Sequence, residues 1–209
     1  MNPFNNISNS SKNKLLLLLD SKMHTFKKNE SVLNNYRKEN IIGIVEKGNI
    51  QLIKDNDNGT NILKEYREND VFTTNVDLNK LDMNLISKED STVILIDYDY
   101  IIENLNNEKK YFNDFIKNLF VIYNDLIIEL NERIEILSKK TIRSKLLTYF
   151  NIRYNQKKSK YIYLPYNYKD LAEYLAIDRT AMTREMKYLK EDGFIETKGK
   201  RITLLYKKR

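Results

Sequence analysis

Apolar residues in the first half of the chain come in short runs that turn residues separate. The runs between Leu33 and Tyr98 are Ile41–Glu46, Asn49–Lys54, Thr60–Tyr66, Val71-Phe72 and Thr92–Asp97. Short runs rich in Ile, Val and Leu, bounded by Gly, Asn and Asp, are typical of antiparallel strands. The pattern therefore predicts an antiparallel β domain in this half.

The residues between these runs predict how the strands connect. Lys47-Gly48 suits a hairpin in which glycine takes a positive φ, and Asp55–Gly59 suits a second turn. The run Thr92–Asp97 is apolar on both sides, so we expect a central or covered strand. The polar segment Thr73–Glu89 predicts only a loop or a short helix.

Beyond Asp99 the apolar residues recur every three or four positions, which predicts one helix of about thirty residues. A helix of that length extends past a small β domain, so we expect part of its apolar seam to meet the same helix of a second chain. The alternative is a helix buried in the core of a monomer. Ile134 continues the seam, and Phe115, Ile122, Ile127 and Ile128 widen it. The predicted dimer interface comprises Phe112, Ile116, Leu119, Tyr123, Leu126, Leu130 and Leu137.

The last third of the chain predicts a series of short elements. They are a helix over Thr141–Tyr154, a basic loop over Asn155–Lys160, a strand over Tyr161–Leu164, a helix over Tyr168–Leu175 capped by Asn167, a turn at Ala176-Ile177, a helix over Arg179–Glu191 capped by Asp178, and a basic hairpin of Phe194–Thr197 and Arg201–Tyr206. Two helices, a tight turn between them and a hairpin make up the winged helix-turn-helix plan, whose second helix enters the major groove of DNA.

The second helix of this pair has the side chains that reading DNA requires. Met182, Met186 and Leu189 predict its buried face, which leaves the opposite face exposed. Arginine can bond O6 and N7 of guanine together, threonine can bond a base edge or contact the thymine methyl, and lysine binds phosphates. We expect base contacts from Arg179 and Arg184. The full predicted DNA-binding set is Arg179, Thr180, Thr183, Arg184, Lys187, Tyr168, Lys169, Lys198, Lys200 and Arg201.

The net charge changes sign after Ser138, close to where the predicted series of short elements begins. Lys139 to Arg209 contain 19 Lys+Arg and 7 Asp+Glu, a net +12, whereas Met1 to Ser138 contain 17 and 22, a net −5. A basic part beside an acidic part indicates a polyanionic partner for the former and another task for the latter. We expect a sensor-like domain over 1–105, a dimerisation helix over 106–138 and a DNA-binding domain over 139–209.

Composition excludes several kinds of site. The chain has no cysteine, which excludes disulfides, iron–sulfur clusters and thiolate zinc sites, and its one histidine, His24, gives little support to haem binding. No apolar run approaches the roughly 20 residues that span a bilayer, since Leu15–Leu19 predicts only a short helix. We therefore expect a cytoplasmic protein with no metal, cofactor or catalytic residue.

The segment Asp170–Ile195, DLAEYLAIDRTAMTREMKYLKEDGFI, resembles the DNA-binding signature of the Crp/Fnr family of bacterial transcription regulators. The order of the predicted elements resembles that family over almost the whole chain. The resemblance implies an α+β fold with an antiparallel β-roll of the cyclic-nucleotide-binding type, a long dimerisation helix and a C-terminal winged helix-turn-helix. It also implies a homodimer on two half-sites about one helical turn apart, with DNA and RNA polymerase as partners.

Family features carry over unevenly. The two arginines that contact bases in the family fall on Arg179 and Arg184, but the acidic residue after the first is Thr180 and the serine before it is Asp178. The family's operator sequence and one of its phosphate contacts therefore do not carry over to this chain. Family members that bind cyclic nucleotides use Phe-Gly-Glu and an arginine shortly after it. This chain has Phe72-Thr73-Thr74 at that place, and no arginine lies between Glu68 and Glu132.

A cyclic phosphate needs the forked, positively charged guanidinium of arginine in a pocket that excludes water. Lysines such as Lys80 and Lys88 offer only point charges. We therefore expect an effector other than cyclic AMP, of unknown identity, or constant DNA binding regulated by protein abundance.

Three other functions compete with a transcription regulator. A plasmid- or phage-type replication initiator or a partition protein would need a second winged domain, which the strand-rich first half does not predict. A metal-dependent cupin enzyme would need several histidines on one metal, and Asp97 and Asp99 alone would make a weak oxygen site. A small-molecule sensor or adaptor without operator binding remains open, and loss of binding on replacement of Arg179 and Arg184 would separate it from a regulator.

Overall fold

A computed structural model describes residues 2–33, 40–56, 59–74, 82–164 and 168–206, and it divides into two compact units, Met1–Asn124 and Asp125–Arg209. The predicted turn residues Asp57 and Asn58, the predicted cap Asn167, and Lys80 lie outside the described residues. None of the helices in the described ranges is long and apolar enough to cross a membrane.

The first unit contains two antiparallel sheets and flanking helices. Its elements are α1 Asn9–Leu18, β1 Lys22–Phe26, β2 Ile41–Lys47, β3 Asn49–Asn56, β4 Gly59–Arg67, β5 Val71–Thr73, β6 Met83–Ser87, β7 Ser91–Asp97, α2 Tyr98–Glu103 and the start of α3, Lys110–Leu137. One sheet has the order β1-β7-β2-β5 and the other β4-β3-β6. These elements and the second unit match the expected α+β fold.

Strand β7 confirms the prediction of a covered strand. Val93 and Leu95 belong to an apolar cluster with side chains of the second sheet, such as Ile50. Ile94 and Ile96 belong to a cluster on the opposite face, which includes residues of α1 and α3. Successive side chains of a strand point to opposite faces, so β7 joins the two cores of the unit.

The predicted hairpin at Lys47-Gly48 is wrong. Strand β2 pairs with β5 and β7, whereas β3 pairs with β4 and β6, so the chain passes from one sheet to the other at this point. The positive φ is confirmed, at +92° for Gly48, and a Cβ there would lie 2.3 Å from the Ser91 hydroxyl oxygen. Gly48 therefore allows the two sheets to meet closely at a corner.

Two strands of the first unit were not predicted. Strand β1 pairs with β7 at the edge of one sheet, and β6, inside the segment expected to be loop or helix, pairs with β3. Both are five residues long and carry polar side chains, so their patterns are weak. Pairing with a neighbouring strand stabilises both, because the backbone hydrogen bonds of a sheet form whatever the side chains are.

The second unit has α4 Ile142–Lys157, β8 Tyr161–Tyr163, α5 Tyr168–Tyr174, α6 Arg179–Glu191, β9 Ile195–Lys198 and β10 Arg201–Leu204. Residues 155–157, expected in a loop, continue α4. The expected hairpin is part of a three-stranded sheet of order β8-β10-β9. One core cluster joins these elements and includes Ile136, near the end of α3.

The predicted dimer residues of α3 have different surroundings. Phe112 and Leu119 are buried in the core of the first unit and are not available to a second chain, because α1 and the first sheet cover them. Ile116 and Tyr123 pack partly against that core, and burial raises the pKa of Tyr123 to about 12. In the second unit Leu126 is half-buried. Leu130 and Leu137 are exposed.

Candidate nucleic-acid interface

Helix α6 begins where the sequence predicts. The carboxylate of Asp178 accepts a 2.7 Å hydrogen bond from the backbone N–H of Ala181, which satisfies one free donor of the first turn. Met182, Met186 and Leu189 are buried in the core, as expected. Burial of this face leaves the opposite face of α6 to solvent.

The exposed face of α6 brings five predicted residues together. All five are exposed, and they line one shallow depression of the surface: Arg179, Thr180, Thr183, Arg184 and Lys187. Their contact with DNA remains a prediction. The surface they form, hereafter the reading face, combines three cations with two hydroxyls on a single helix.

One hydroxyl of the reading face is already engaged. Thr183 Oγ1 donates a 2.9 Å hydrogen bond to the carbonyl of Arg179, one turn earlier. While that bond lasts, the hydroxyl can only accept from a base, and the methyl group remains free to contact thymine. Thr180 has no such engagement within the described residues.

A lysine of α4 supports the turn before α6. Lys145 Nζ donates to the carbonyl oxygens of Leu175 and Ala176, at 3.1 and 3.4 Å. Ala176 has a φ of +49°, a left-handed conformation that costs a residue with a Cβ about 1 kcal/mol. The lysine satisfies carbonyls that the end of α5 leaves free, so α4 stabilises the turn between the two helices.

An arginine of α4 holds the other end of α6. Arg143 Nε donates to Glu185 Oε1 at 2.7 Å, its NH2 group donates to the carboxylate of Asp192, and its guanidinium lies 5.6 Å from the centre of the Phe194 ring. These contacts neutralise Glu185, an acidic residue within α6, and join α4 to the end of α6. Sequence patterns did not reveal this role, because the partners lie more than forty positions away along the chain.

The remaining predicted DNA-binding residues occupy two places. Tyr168 is half-buried against the core, which raises the pKa of its phenol, and the exposed Lys169 lies 3.9 Å from Glu173. Lys198 and Lys200 are exposed beside the turn of the β9–β10 hairpin, where Gly199 has a φ of +59°. Arg201 is half-buried, with its guanidinium 5.4 Å from the centre of the Tyr161 ring.

Phe72 and Thr74, which stand at the place of the family's nucleotide-binding motif, have structural roles in the first unit. Phe72 lies in the apolar cluster between the sheets and covers Gly43, where a Cβ would lie 2.1 Å from the ring. Thr74 is buried, and its hydroxyl accepts a 3.2 Å hydrogen bond from the N–H of Ile41. These side chains complete the sheet and the core around it.

Lys88, considered above as a substitute for the missing arginine, already has an anionic partner. Its ammonium lies 2.7 Å from Glu65 Oε1, and Gln51 donates to the same carboxylate at 2.8 Å. The hydrogen bonds from Lys88 and Gln51 lower the pKa of Glu65 to about 2. Lys88 is thus paired with a carboxylate of its own unit.

Comparison with known proteins agrees with this geometry. Residues 128–209 match the family model described as a Crp-like helix-turn-helix domain. A comparison with curated proteins gave no match.

Three solved structures resemble the chain over most of its length. A mutant of CooA from Carboxydothermus hydrogenoformans is 20% identical, with 90% of this chain and 85% of that chain covered and a TM-score of 0.59. A cyclic nucleotide-binding domain containing protein from Listeria monocytogenes is 16% identical, with coverages of 92% and 96% and a TM-score of 0.59. The catabolite activator protein of Thermus thermophilus is 12% identical, with coverages of 97% and 92% and a TM-score of 0.51. At such identities these likenesses show a shared fold. The chain therefore carries a Crp-like helix-turn-helix domain over residues 128–209 and shares its fold with these three solved structures.

Proposed function

We propose that the chain regulates transcription as a homodimer that binds a two-fold symmetric operator in the cytoplasm. Each α6 enters the major groove of one half-site, where Arg179 and Arg184 contact bases and Lys187 contacts phosphate. The observation that carries this proposal is the reading face, because five side chains suited to DNA line one depression opposite a fully buried face. No catalytic step is part of the proposal.

Exposed apolar side chains of α3 support the dimer. Phe120 of the first unit is 76% exposed, and Ile134 of the second is 64% exposed. With Ile127 between them they recur every seven residues, and Tyr123, Leu130 and Leu137 form the second row of a heptad pattern. Such a pattern favours pairing with a second helix. The proposed seam comprises Phe120, Tyr123, Ile127, Leu130, Ile134 and Leu137, and it omits the buried Phe112 and Leu119.

Selection of bound fragments from random DNA tests the function directly. We expect the purified chain to enrich a palindromic sequence whose half-site centres lie about 10 base pairs apart, and to protect it symmetrically in a footprint. Enrichment without sequence preference would contradict operator recognition. A footprint without two-fold symmetry would contradict the dimer while leaving DNA binding intact.

The first unit is proposed to regulate the dimer through an effector other than cyclic AMP. Support comes from Thr74 and Lys88, which make hydrogen bonds and an ion pair inside the unit. Operator affinity of the bare protein, measured with and without cyclic AMP, tests this proposal. Cyclic AMP should leave the affinity unchanged, and a tenfold increase would overturn the proposal. Contact with RNA polymerase is part of the same proposal and would appear as a shift in polymerase binding at the selected operator.

A further inference from the structure

The last turns of α3, which belong to the second unit, carry different residues on two sides. Ile136 is buried in the core of that unit, and Glu132 and Arg133 lie four and three positions before it, on the same side of the helix. Leu130 and Ile134 are exposed on another side, within the proposed seam. One short stretch of helix therefore faces both the core of the second unit and, in the proposed dimer, a second chain.

Glu132 joins α3 to α4 through a hydrogen-bond network. The side-chain amide of Gln156 donates to both carboxylate oxygens of Glu132, at 2.8 and 2.9 Å, and its carbonyl oxygen accepts a 2.8 Å bond from Arg153. The guanidinium of Arg153 also lies 4.0 Å from Glu132 Oε2, and its carbon lies 5.1 Å from the centre of the Tyr149 ring. Tyr149 is fully buried, so this network ends in the core.

Arg133 joins α3 to α5. Its guanidinium carbon lies 5.3 Å from the centre of the Tyr174 ring, within the range of a cation–π interaction. Arg133 is half-buried, and among the described residues it makes no ion pair, so the aromatic ring compensates its partial loss of water. The Tyr174 ring packs edge-on against Tyr149, with 6.0 Å between the ring centres. Both connections of α3 therefore meet at one pair of tyrosines.

Helix α5 extends this connection to α6. Leu171 and Leu175 of α5 belong to the same buried cluster as Met182 and Met186 of α6, so the two helices share one packed core. Close-packed side chains transmit a displacement and do not absorb it. The contact between α3 and Tyr174 therefore determines the direction in which the reading face points from the end of α3.

We propose that Arg133 and Tyr174 are positioning residues, which hold the reading face at a fixed angle to the end of α3 and so set the half-site spacing that the dimer accepts. The inference rests on the proposed function, because spacing has a meaning only for a dimer on a two-fold operator. Two reading faces that are held firmly fit one spacing, whereas two that are held loosely accept neighbouring spacings as well.

An operator with altered spacing tests this role. One base pair inserted between the half-sites shifts one of them by roughly 3.4 Å and rotates it by about 34°. We expect the wild-type chain to bind the altered operator about a hundredfold more weakly than the selected one, because base contacts in one half-site are lost. Tyr174→Leu, which removes the ring, and Arg133→Gln, which removes the cation, should each reduce that penalty to about tenfold.

Three controls accompany these variants. Tyr174→Phe keeps the ring and should keep the wild-type penalty. Lys140→Gln removes an exposed cation just after α3 and should keep it too. A duplex with a single half-site should bind the wild type, Tyr174→Leu and Arg133→Gln equally, because the reading face is unchanged in all three, and circular dichroism checks that each variant folds.

The outcomes separate this inference from the proposed function. A spacing penalty that stays at the wild-type value in both Tyr174→Leu and Arg133→Gln overturns the inference while operator binding stands, and so does a wild-type chain that binds the two operators equally. A smaller penalty in Tyr174→Phe overturns the role of the ring. Equal losses on the single half-site and on the operator overturn positioning in favour of a general loss of structure. A wild-type chain that binds no operator overturns both proposals.

Discussion

The two units differ in how far their positive and negative charges balance. In the first unit Lys12 pairs with Glu46, Lys27 with Asp90 and Lys88 with Glu65, and its 16 Lys+Arg against 18 Asp+Glu give a net charge of −2. The second unit also contains ion pairs, such as Lys187 with Glu191, but its 20 Lys+Arg against 11 Asp+Glu give a net +9, and its reading face exposes three cations to solvent.

Arg143 shows that position, not charge alone, decides what a cation does. It belongs to the basic unit, yet its guanidinium is occupied by Glu185, Asp192 and Phe194. Paired cations at a surface contribute little to stability, whereas exposed unpaired ones can supply affinity for a polyanion. The comparison therefore separates the basic residues that are paired within the chain from those that we propose to contact DNA.

The largest expected effect on DNA binding comes from substitutions on the reading face. Arg179→Ala with Arg184→Ala should lower operator affinity by on the order of a thousandfold or more, since each chain of the dimer loses two base contacts. Lys12→Ala in the first unit is the control and should change operator affinity little, because its partner is Glu46. Gel-shift titration at fixed salt measures both. Equal losses of binding free energy per charge removed in the two variants would show that net charge alone drives binding.

The seam of α3 gives the next largest expected effect. Phe120→Ser with Ile134→Ser should raise the dissociation constant of the dimer by on the order of a hundredfold, because two large apolar contacts per chain are lost. Analytical ultracentrifugation measures this, and circular dichroism checks that the fold is kept. Lys117→Ser, an exposed polar position of the same helix, is the control. A wild-type chain that sediments as a monomer at high concentration would refute the seam.

Arg143 tests whether a cation of the basic unit can be structural. Arg143→Ala should lower operator affinity by on the order of tenfold, because α6 loses its anchor to α4. Since Arg143 acts through α6, the variant should discriminate less between the operator and a single-base mismatch at an arginine contact, whereas loss of a phosphate contact would weaken both equally. Unchanged discrimination with a reduced salt slope would assign Arg143 to DNA contact instead.

In the acidic unit, a smaller effect depends on pH. The pKa of Glu65 is about 2 in the folded chain against an ordinary 4.5, so its contribution to stability is present above pH 4.5 and is lost as pH falls through about 2. Glu65→Gln should lower the free energy of unfolding by about 1 kcal/mol at pH 7, allowing for solvent screening, and by nothing near pH 2. Denaturant unfolding at several pH values measures this. An effect of Glu65→Gln that is the same at both pH values would argue against the ion pair.

The smallest effect concerns the turn before α6. Ala176→Gly should raise the free energy of unfolding by up to about 1 kcal/mol, because glycine accepts the positive φ without steric cost, offset in part by its greater freedom when unfolded. Ala172→Gly, at a buried position within α5, is the matched control and should destabilise. Thermal unfolding compares the two. A loss of stability in both would mean that the strain at Ala176 is negligible.

Much of the second unit was predictable because its signals are local. The Asp178 cap, the Met182–Met186–Leu189 face and the start of α6 follow from spacings of three and four residues, and the structure confirms them. The first unit was harder. Strand β6 and the corner at Gly48 depend on which strands pair, and neighbours in sequence do not decide pairing between separate sheets.

By itself, the sequence determined where α3, α5 and α6 lie, where the charge divides and which face of α6 is polar, since all three depend on side chains near one another along the chain. Only the tertiary structure decided which apolar residues of α3 remain exposed and which cations are already paired. Those properties depend on groups that lie far apart in sequence and become neighbours only when the sheets and helices pack. Helix periodicity placed Phe112 and Leu130 alike on the apolar seam, and packing buried the first and left the second exposed.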